Sequence, residues 1–370
     1  MKESGDARGR GWIARQYRPG DERQILELRR LVFGDGDEQR NTESYWRWEF
    51  RDNPAGCARI WLAVAADGIV GQYAVIPVRM QYCGEVVMGS LSLDTMTHPD
   101  FRRQAVFATL ANKLYEELER ESIPVTYGFP NKNSVEGFVT KLDWEYLCSL
   151  AVFVKPLNAS LVAERFIPRG TVLTPVRALL TVLLGPLCRP AGIPPEEHLE
   201  MRWIDRFDSR FDDLWARVAP RYRIAVVRDS TYLNWRYFEN PARDYRTMVA
   251  ERAGEIVASV TVRCMEQYGL RGGMIVDLLA VPGSEEALSS LLGHAERFLR
   301  EQQMDVIACL VHGDDRYTRL LRKYGFLPLP WKMGFKEWYF GYRINRPTVS
   351  EDVCADRSSW FLTFGDTDVV

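Results

Sequence analysis

The sequence predicts an α/β (α+β) protein built from two similar domains in tandem, each a mixed sheet with helices on both faces. Three observations carry this. The chain has 370 residues, and at about 100–200 residues per domain two domains are expected rather than one. Residues 45–55 read YWRWEFRDNPA and residues 232–242 read YLNWRYFENPA. Tyr45 matches Tyr232, Trp48 matches Trp235, and Asn53-Pro54-Ala55 matches Asn240-Pro241-Ala242, all at an offset of 187. Matches at one constant offset mean two copies of one arrangement. Finally, strand-like and helix-like segments alternate in the same order in both halves, the pattern of a sheet covered by helices.

The elements follow in order. Trp61–Gly71 is two short strands around the Asp67-Gly68 turn, and Met248–Ala258 has the same layout around Gly254. Leu93-Asp94 precedes Pro99, as Val276-Asp277 precedes Pro282, and each Pro leads into a helical run, 106–119 and 285–301. An apolar strand comes next in both halves (123–129 and 306–311), then a second helix. Each half closes on a Lys-x-x-aromatic turn, Lys141 to Trp144 and Lys323 to Phe326. The expected boundaries are 1–155 for the first domain, 156–200 for a Pro-rich apolar linker with one helix, and 201–345 for the second domain. Residues 346–370 form a tail whose Trp360, Phe361 and Phe364 imply docking.

Composition narrows the classes. The chain is 46% hydrophobic and 12% aromatic, enough apolar area to exclude disorder. A formal charge of −2 gives no basic footprint, so no nucleic-acid partner is expected. Seven scattered cysteines without a Cys-x-x-Cys pair, and four histidines without metal spacing, predict a reduced compartment and no metal. Met1–Asp6 is polar and lacks the apolar core of a leader, so a cytoplasmic location is expected, and Asn158-Ala159-Ser160 is a chance sequon. Val172–Leu187 is apolar but is broken by Pro175, Arg177 and Pro186. A spanning helix needs about 20 apolar residues, so a docked linker helix is expected, with loose membrane association as the alternative and no stable insertion.

Residues 93–108, LDTMTHPDFRRQAVFA, predict a strand, a tight loop and a helix starting near Gln104. Free N–H groups and the dipole at such a helix start favour a pyrophosphate, and Arg102 and Arg103 add charge-assisted contacts. This stretch resembles the acyl-CoA-binding motif of the GNAT superfamily of N-acyltransferases, Arg/Gln-x-x-Gly-x-Gly/Ala. Arg102 stands at its first position, Ala105 at the first Gly position, and Phe107 at the last. Both small positions depart from the pattern. The resemblance covers most of residues 12–155 and, more weakly, 201–340. It implies a mostly antiparallel sheet in each domain and an acyl-CoA, such as acetyl-CoA, as co-substrate. It implies that Met96, Thr97, Arg102, Arg103, Gln104, Ala105, Val106, Phe107, Asn131 and Asn133 bind it. Asn133, or Asn131 second, matches the family's pantetheine-facing Asn, and helix capping with Glu136 is the competing role. The family's proton-donating Tyr is replaced by Val139. In the second half Gly283-Ser284-Glu285-Glu286-Ala287 replaces the loop, without Arg and with two acids, which oppose a pyrophosphate.

Acyl transfer to an amine needs a neutral amine, a polarised thioester and attack geometry. Candidate bases are Asp94, His98 and Tyr127; Asp277 stands at Asp94's place in the loop-less copy, so a shared structural role competes. Glu43, Trp46, Arg47 and Glu49 are candidates for shaping the acceptor pocket, while the repeated Tyr and Trp are expected to pack. The resulting expectation is an N-acyltransferase acting on a small-molecule primary amine, an amino sugar first, as monomer or homodimer. A protein or peptide amine is the alternative acceptor, and a non-catalytic GNAT-like binding module is the alternative class.

Overall fold

The computed structural model describes residues 11–34, 38–167, 173–190, 192, 198–267, 270–329 and 337–367. Residues 1–10, on which the leader was judged, lie outside these. The first half runs β1 (Trp12–Gln16), α1 (Glu22–Phe33), α2 (Glu43–Phe50), β2 (Arg59–Ala65), β3 (Gly68–Tyr82), β4 (Glu85–Thr97), α3 (Val106–Arg120), β5 (Val125–Gly128), α4 (Val135–Lys141), β6 (Glu145–Leu150) and β7 (Val152–Pro156). The connection carries α5 (Ala159–Phe166) and α6 (Thr174–Leu184), two helices where the sequence predicted one. Pro175 stands in the first turn of α6, where a helix tolerates it. The second half runs β8 (Glu200–Ile204), α7 (Arg210–Val218), β9 (Ile224–Val226), α8 (Ser230–Leu233), β10 (Tyr245–Arg252), β11 (Glu255–Gln267), β12 (Leu270–Ala280), α9 (Glu285–Glu301), β13 (Val306–His312), α10 (Asp315–Lys323), β14 (Leu327–Pro328), β15 (Trp338–Ile344), α11 (Glu351–Ala355) and β16 (Leu362–Thr363).

Two mixed eight-stranded sheets result, each antiparallel apart from one central parallel pair, β4 with β5 and β12 with β13. The two halves exchange an inner strand, and β9 of the second half also joins the first sheet beside β3. β15 enters the first sheet between β5 and β6, and β7 enters the second between β13 and β14. Neither sheet is closed by its own half of the chain. Both exchanged strands are fixed by polar contacts. Lys155 on β7 donates to Glu296 of α9 at 2.6 Å, with both groups buried. On β15, Arg343 lies 4.3 Å from the Tyr115 ring centroid and donates to the Leu142 carbonyl.

The repeat marks the axis between the halves. Trp48 Nε1 donates to the Trp235 carbonyl at 2.8 Å and Trp235 Nε1 to the Trp48 carbonyl at 3.0 Å, with the two rings stacked at 4.9 Å. These residues match at the offset of 187, so the constant sequence spacing is read out as reciprocal contact. One continuous buried core runs through both halves, and a second lies between α3 and the outer face of the first sheet.

Candidate active site

β4 and β5 pair only at Ser90–Thr126, Leu91–Tyr127 and Ser92–Gly128, after which β4 runs on to Thr97 and β5 stops. The strands therefore part in a V, leaving the β5-facing edge of Leu93–Thr97 without a ladder partner. On its other edge β4 bulges. Leu93 faces Ala74 and Met96 faces Gln72, so Asp94 and Thr95 together oppose Tyr73. Asp94 takes a left-handed φ of 45° there, a conformation that Asp tolerates better than most residues. Such a bulge re-aims backbone groups beside a site.

The loop after β4 faces the mouth of this V. His98 accepts the Asp100 N–H at Nδ1, Pro99–Phe101 makes a single 3₁₀ turn, and α3 starts at Val106. Its first backbone bond runs from Thr109 N–H to the Ala105 carbonyl. The N–H groups of Val106, Phe107 and Ala108 precede it and have no intrahelical acceptor. The first turn carries no acid, and Arg102 and Arg103 are exposed beside it. Ala105 sits at φ 59°, ψ 15°, the region where glycine is at ease and other residues lose about 1–2 kcal/mol. The motif's glycine position is thus kept in conformation although not in identity. Ala105→Gly is expected to raise stability by about 1 kcal/mol in denaturant unfolding. Phe107, the second departure, turns inward: its ring lies 5.2 Å from Phe138 and 6.0 Å from Tyr73 and packs on Gly137.

At the start of α4 the Asn131 carboxamide oxygen accepts the N–H groups of Asn133 and Ser134 at 2.9 and 3.1 Å. Asn131 therefore shapes this turn, and Asn133 does not take the competing capping role: the N-cap is Ser134, without a side-chain cap. The Asn133 side chain is exposed with no hydrogen bond among the described residues. Val139, at the place of the missing proton donor, is exposed.

Residues 14–147 match the family model described as Acetyltransferase (GNAT) domain. This segment is a GNAT domain. A second unit of like topology, again a mixed eight-stranded sheet with one central parallel pair, follows it in tandem. It is similar to a GCN5-related N-acetyltransferase from Anabaena variabilis (13% identity, 90% of this chain and 73% of that one, TM-score 0.62). It is also similar to a probable N-acyltransferase from Enterococcus faecalis (10%, 90% and 72%, 0.61). A third similar structure is Saccharomyces cerevisiae N-myristoyltransferase with bound myristoyl-CoA (14%, 97% and 91%, 0.62). At these identities the likeness concerns the fold. No curated protein matches the sequence.

In the GNAT domain the three sequence-predicted bases have different settings. Asp94 is buried; its carboxylate bonds the Arg29 guanidinium, and Arg40 stands 3.7 Å from its other oxygen. That is the environment of an anchor, and Asp277 repeats it: Arg228 reaches it at 3.1 Å and Tyr237 donates at 3.0 Å. Tyr127 is buried under Phe340 and Trp360. Its hydroxyl points to the Asp366 carbonyl at 3.4 Å, and burial pushes its pKa well up. Tyr127 is thus a core residue remote from solvent, which does not suit a base. His98 is partly exposed and lines an open groove of about 470 Å³ with Arg23, Gln24, Glu27 and Asp67. Met96 is buried and Thr97 half-buried at the end of β4.

The acceptor expectations are altered as well. Trp46 is buried between Tyr17 and Phe50, and Arg47 makes an exposed ion pair with Glu43. Glu49 is buried, bonded by Tyr45 at 3.1 Å, and lines a small cavity of about 20 Å³ between the halves with Trp48, Trp235, Arg236 and Asp366. Such a space holds about one water. The repeat marked Trp48 and Trp235 as packing residues but not as an interface, and the Arg29–Asp94–Arg40 cluster left no sequence pattern, because its members come from separate elements.

The second unit has the same V, but the chain fills it. β12 and β13 part after Ile275–Cys309, and β16 pairs with β13 at Val311 and His312 while Thr363 bonds Asp277 at 3.1 Å. Arg228 holds Asp366 at 2.7 Å, and Arg236 donates to the Gly365 and Thr367 carbonyls. Glu285 and Glu286 occupy the first turn of α9, where the first unit has none. Gly313, at φ 79°, would place a Cβ 2.0 Å from the Trp360 carbonyl oxygen. Gly313→Ala is expected to dislodge the tail and cost more than about 1 kcal/mol, read by urea denaturation.

Proposed function

We propose that the chain transfers an acyl group from acyl-CoA to the primary amine of a small molecule, with one working site in the first unit, residues 1–155. The observation that carries this is the open V of β4 and β5 facing an acid-free helix start flanked by Arg102 and Arg103. The N–H groups of Val106, Phe107 and Ala108 suit a pyrophosphate, and the unpaired edge of β4 around Met96 and Thr97 suits the thioester arm. When bound, acyl-CoA supplies the activated acyl group. Asn133 is the side chain left to meet the pantetheine. The second unit, residues 201–345 with the tail 346–370, closes its own V and supports the first.

Asp94 acts in this reading as a positioning residue that fixes the bulge. His98 is the one predicted base whose ring is partly open to solvent. If it takes the amine proton, His98→Gln lowers kcat by about 100-fold or more with acyl-CoA affinity unchanged; an unaltered kcat removes it from that role.

Thiol release from acetyl-CoA, screened over amino sugars, aminoglycosides and peptides, tests the reaction and its acceptor. The likeness to a structure holding myristoyl-CoA is reason to include long-chain acyl-CoA in the screen. Release with amino sugars but not peptides is expected. Acyl-CoA binding without release from any amine would reduce the chain to a binding module.

A further inference from the structure

The connection between the units leaves one apolar helix face uncovered. α6 reads TPVRALLTVLL, with Arg177 its one charged residue. At 3.6 residues per turn, Arg177, Leu180, Thr181 and Leu184 share one side, and all four are half-buried. The opposite arc holds Pro175, Val176, Leu179, Val182 and Leu183. Val176 is 50% exposed, Leu179 59%, Val182 71% and Leu183 63%. No polar side chain interrupts that arc. Single exposed apolar residues are ordinary, but a contiguous set marks an interaction surface.

The base under this helix is fixed. Arg300 of α9 donates to the Cys188 carbonyl at 2.5 Å and the Leu157 carbonyl at 3.4 Å, tying both ends of the connection to the second unit. The Asn158 side chain caps α5 by accepting the Leu161 N–H. The apolar arc is therefore presented outward from a braced support.

Charge selects the occupant. Between Glu164 and Glu196 the sequence has four arginines, at 165, 169, 177 and 189, and no Asp, Glu or Lys, although the whole chain carries −2. A second copy docking on this face would bring like charge to like charge, the exposed Arg189 of each copy among them. An anionic bilayer offers both an apolar layer for the arc and negative headgroups for the arginines. Eleven residues span about 16 Å, and no described helix is long and apolar enough to cross a membrane.

We propose that α6 lies in the plane of an anionic lipid surface, apolar arc inward, and holds the protein there without spanning it. The test is flotation of the purified full chain with vesicles of phosphatidylcholine alone or mixed with phosphatidylglycerol. Recovery with the anionic vesicles is expected to exceed that with phosphatidylcholine by about tenfold or more at low salt, and to fall as salt rises. Leu179→Glu with Val182→Glu is expected to abolish recovery. Arg189→Ala is expected to weaken it about fivefold. Calorimetric acetyl-CoA binding or, if the site reading fails, an unchanged circular dichroism melt shows that the variants are folded. Absence of flotation with anionic vesicles, or flotation unchanged by the double variant, overturns the proposal. So does a dimer in light scattering that the double variant dissolves, since that assigns the face to a second copy.

Discussion

Charge reversal of Arg102 and Arg103 to Glu is expected to weaken acetyl-CoA binding by about 100-fold or more in calorimetry, with the fold unchanged. Each charge-assisted hydrogen bond to phosphate contributes about 1.5–3 kcal/mol, so losing two corresponds to about 3 kcal/mol or more, and tenfold in affinity is about 1.4 kcal/mol. The reversed side chains also place acids at the start of α3, where the dipole would favour them over a pyrophosphate. The second unit already shows that arrangement, with Glu285 and Glu286 opening α9 and Arg316 pairing Glu285 at 3.0 Å. Both arginines are exposed, so stability should stay within about 0.5 kcal/mol. Binding insensitive to both reversals would remove this loop as the phosphate site.

Asp94→Ala is expected to have the largest effect on stability, a loss of about 3–5 kcal/mol, because it removes the buried carboxylate shared by two buried guanidinium groups, Arg29 and Arg40. Arg29 is itself buried and bonded to both Asp94 and Asn41. Removing Arg29 together with Asp94 is therefore expected to cost less than the sum of the single losses, by more than about 1 kcal/mol in a double-mutant cycle. Asp94→Asn keeps the shape and removes the charge, and should also destabilise. A catalytic base would behave otherwise: Asp94→Asn would fold normally and lose kcat with a changed pH profile. Additive single and double losses would dissolve the anchor reading.

Much of the fold was legible because it lies in local periodicity. The helix predicted at 285–301 spans Glu285–Glu301, and the one at 106–119 extends by a single residue to Arg120. The repeat was legible because Trp48 and Trp235 kept their spacing, and it pointed to two copies and to packing residues; their reciprocal contact across the halves is seen only in the fold. The strand exchange was not legible. Period-two patterning fixes which face of β7 or β15 is buried but carries nothing about which strand lies beside it. The site divides in the same way. Arg102, Ala105 and Phe107 are neighbours in sequence, so a motif exposed them, whereas Arg29, Arg40 and Asp94 meet only through three separate elements. Trp46 was misplaced because an aromatic unique to one copy looks functional, while the fold uses it to fill space between Tyr17 and Phe50.

The strand exchange sets a timetable for synthesis. β6 ends at Leu150 and β15 begins at Trp338, so about half the chain must emerge between the moment the first sheet wants its missing strand and the moment it arrives. At about 5–20 residues per second that wait is roughly 10–40 s, during which β5 and β6 have an open seam between them. A nascent chain in that state is a client for chaperones. Neither half should mature alone, and two separately expressed fragments cut within the connection should recover a native product only when made in the same cell.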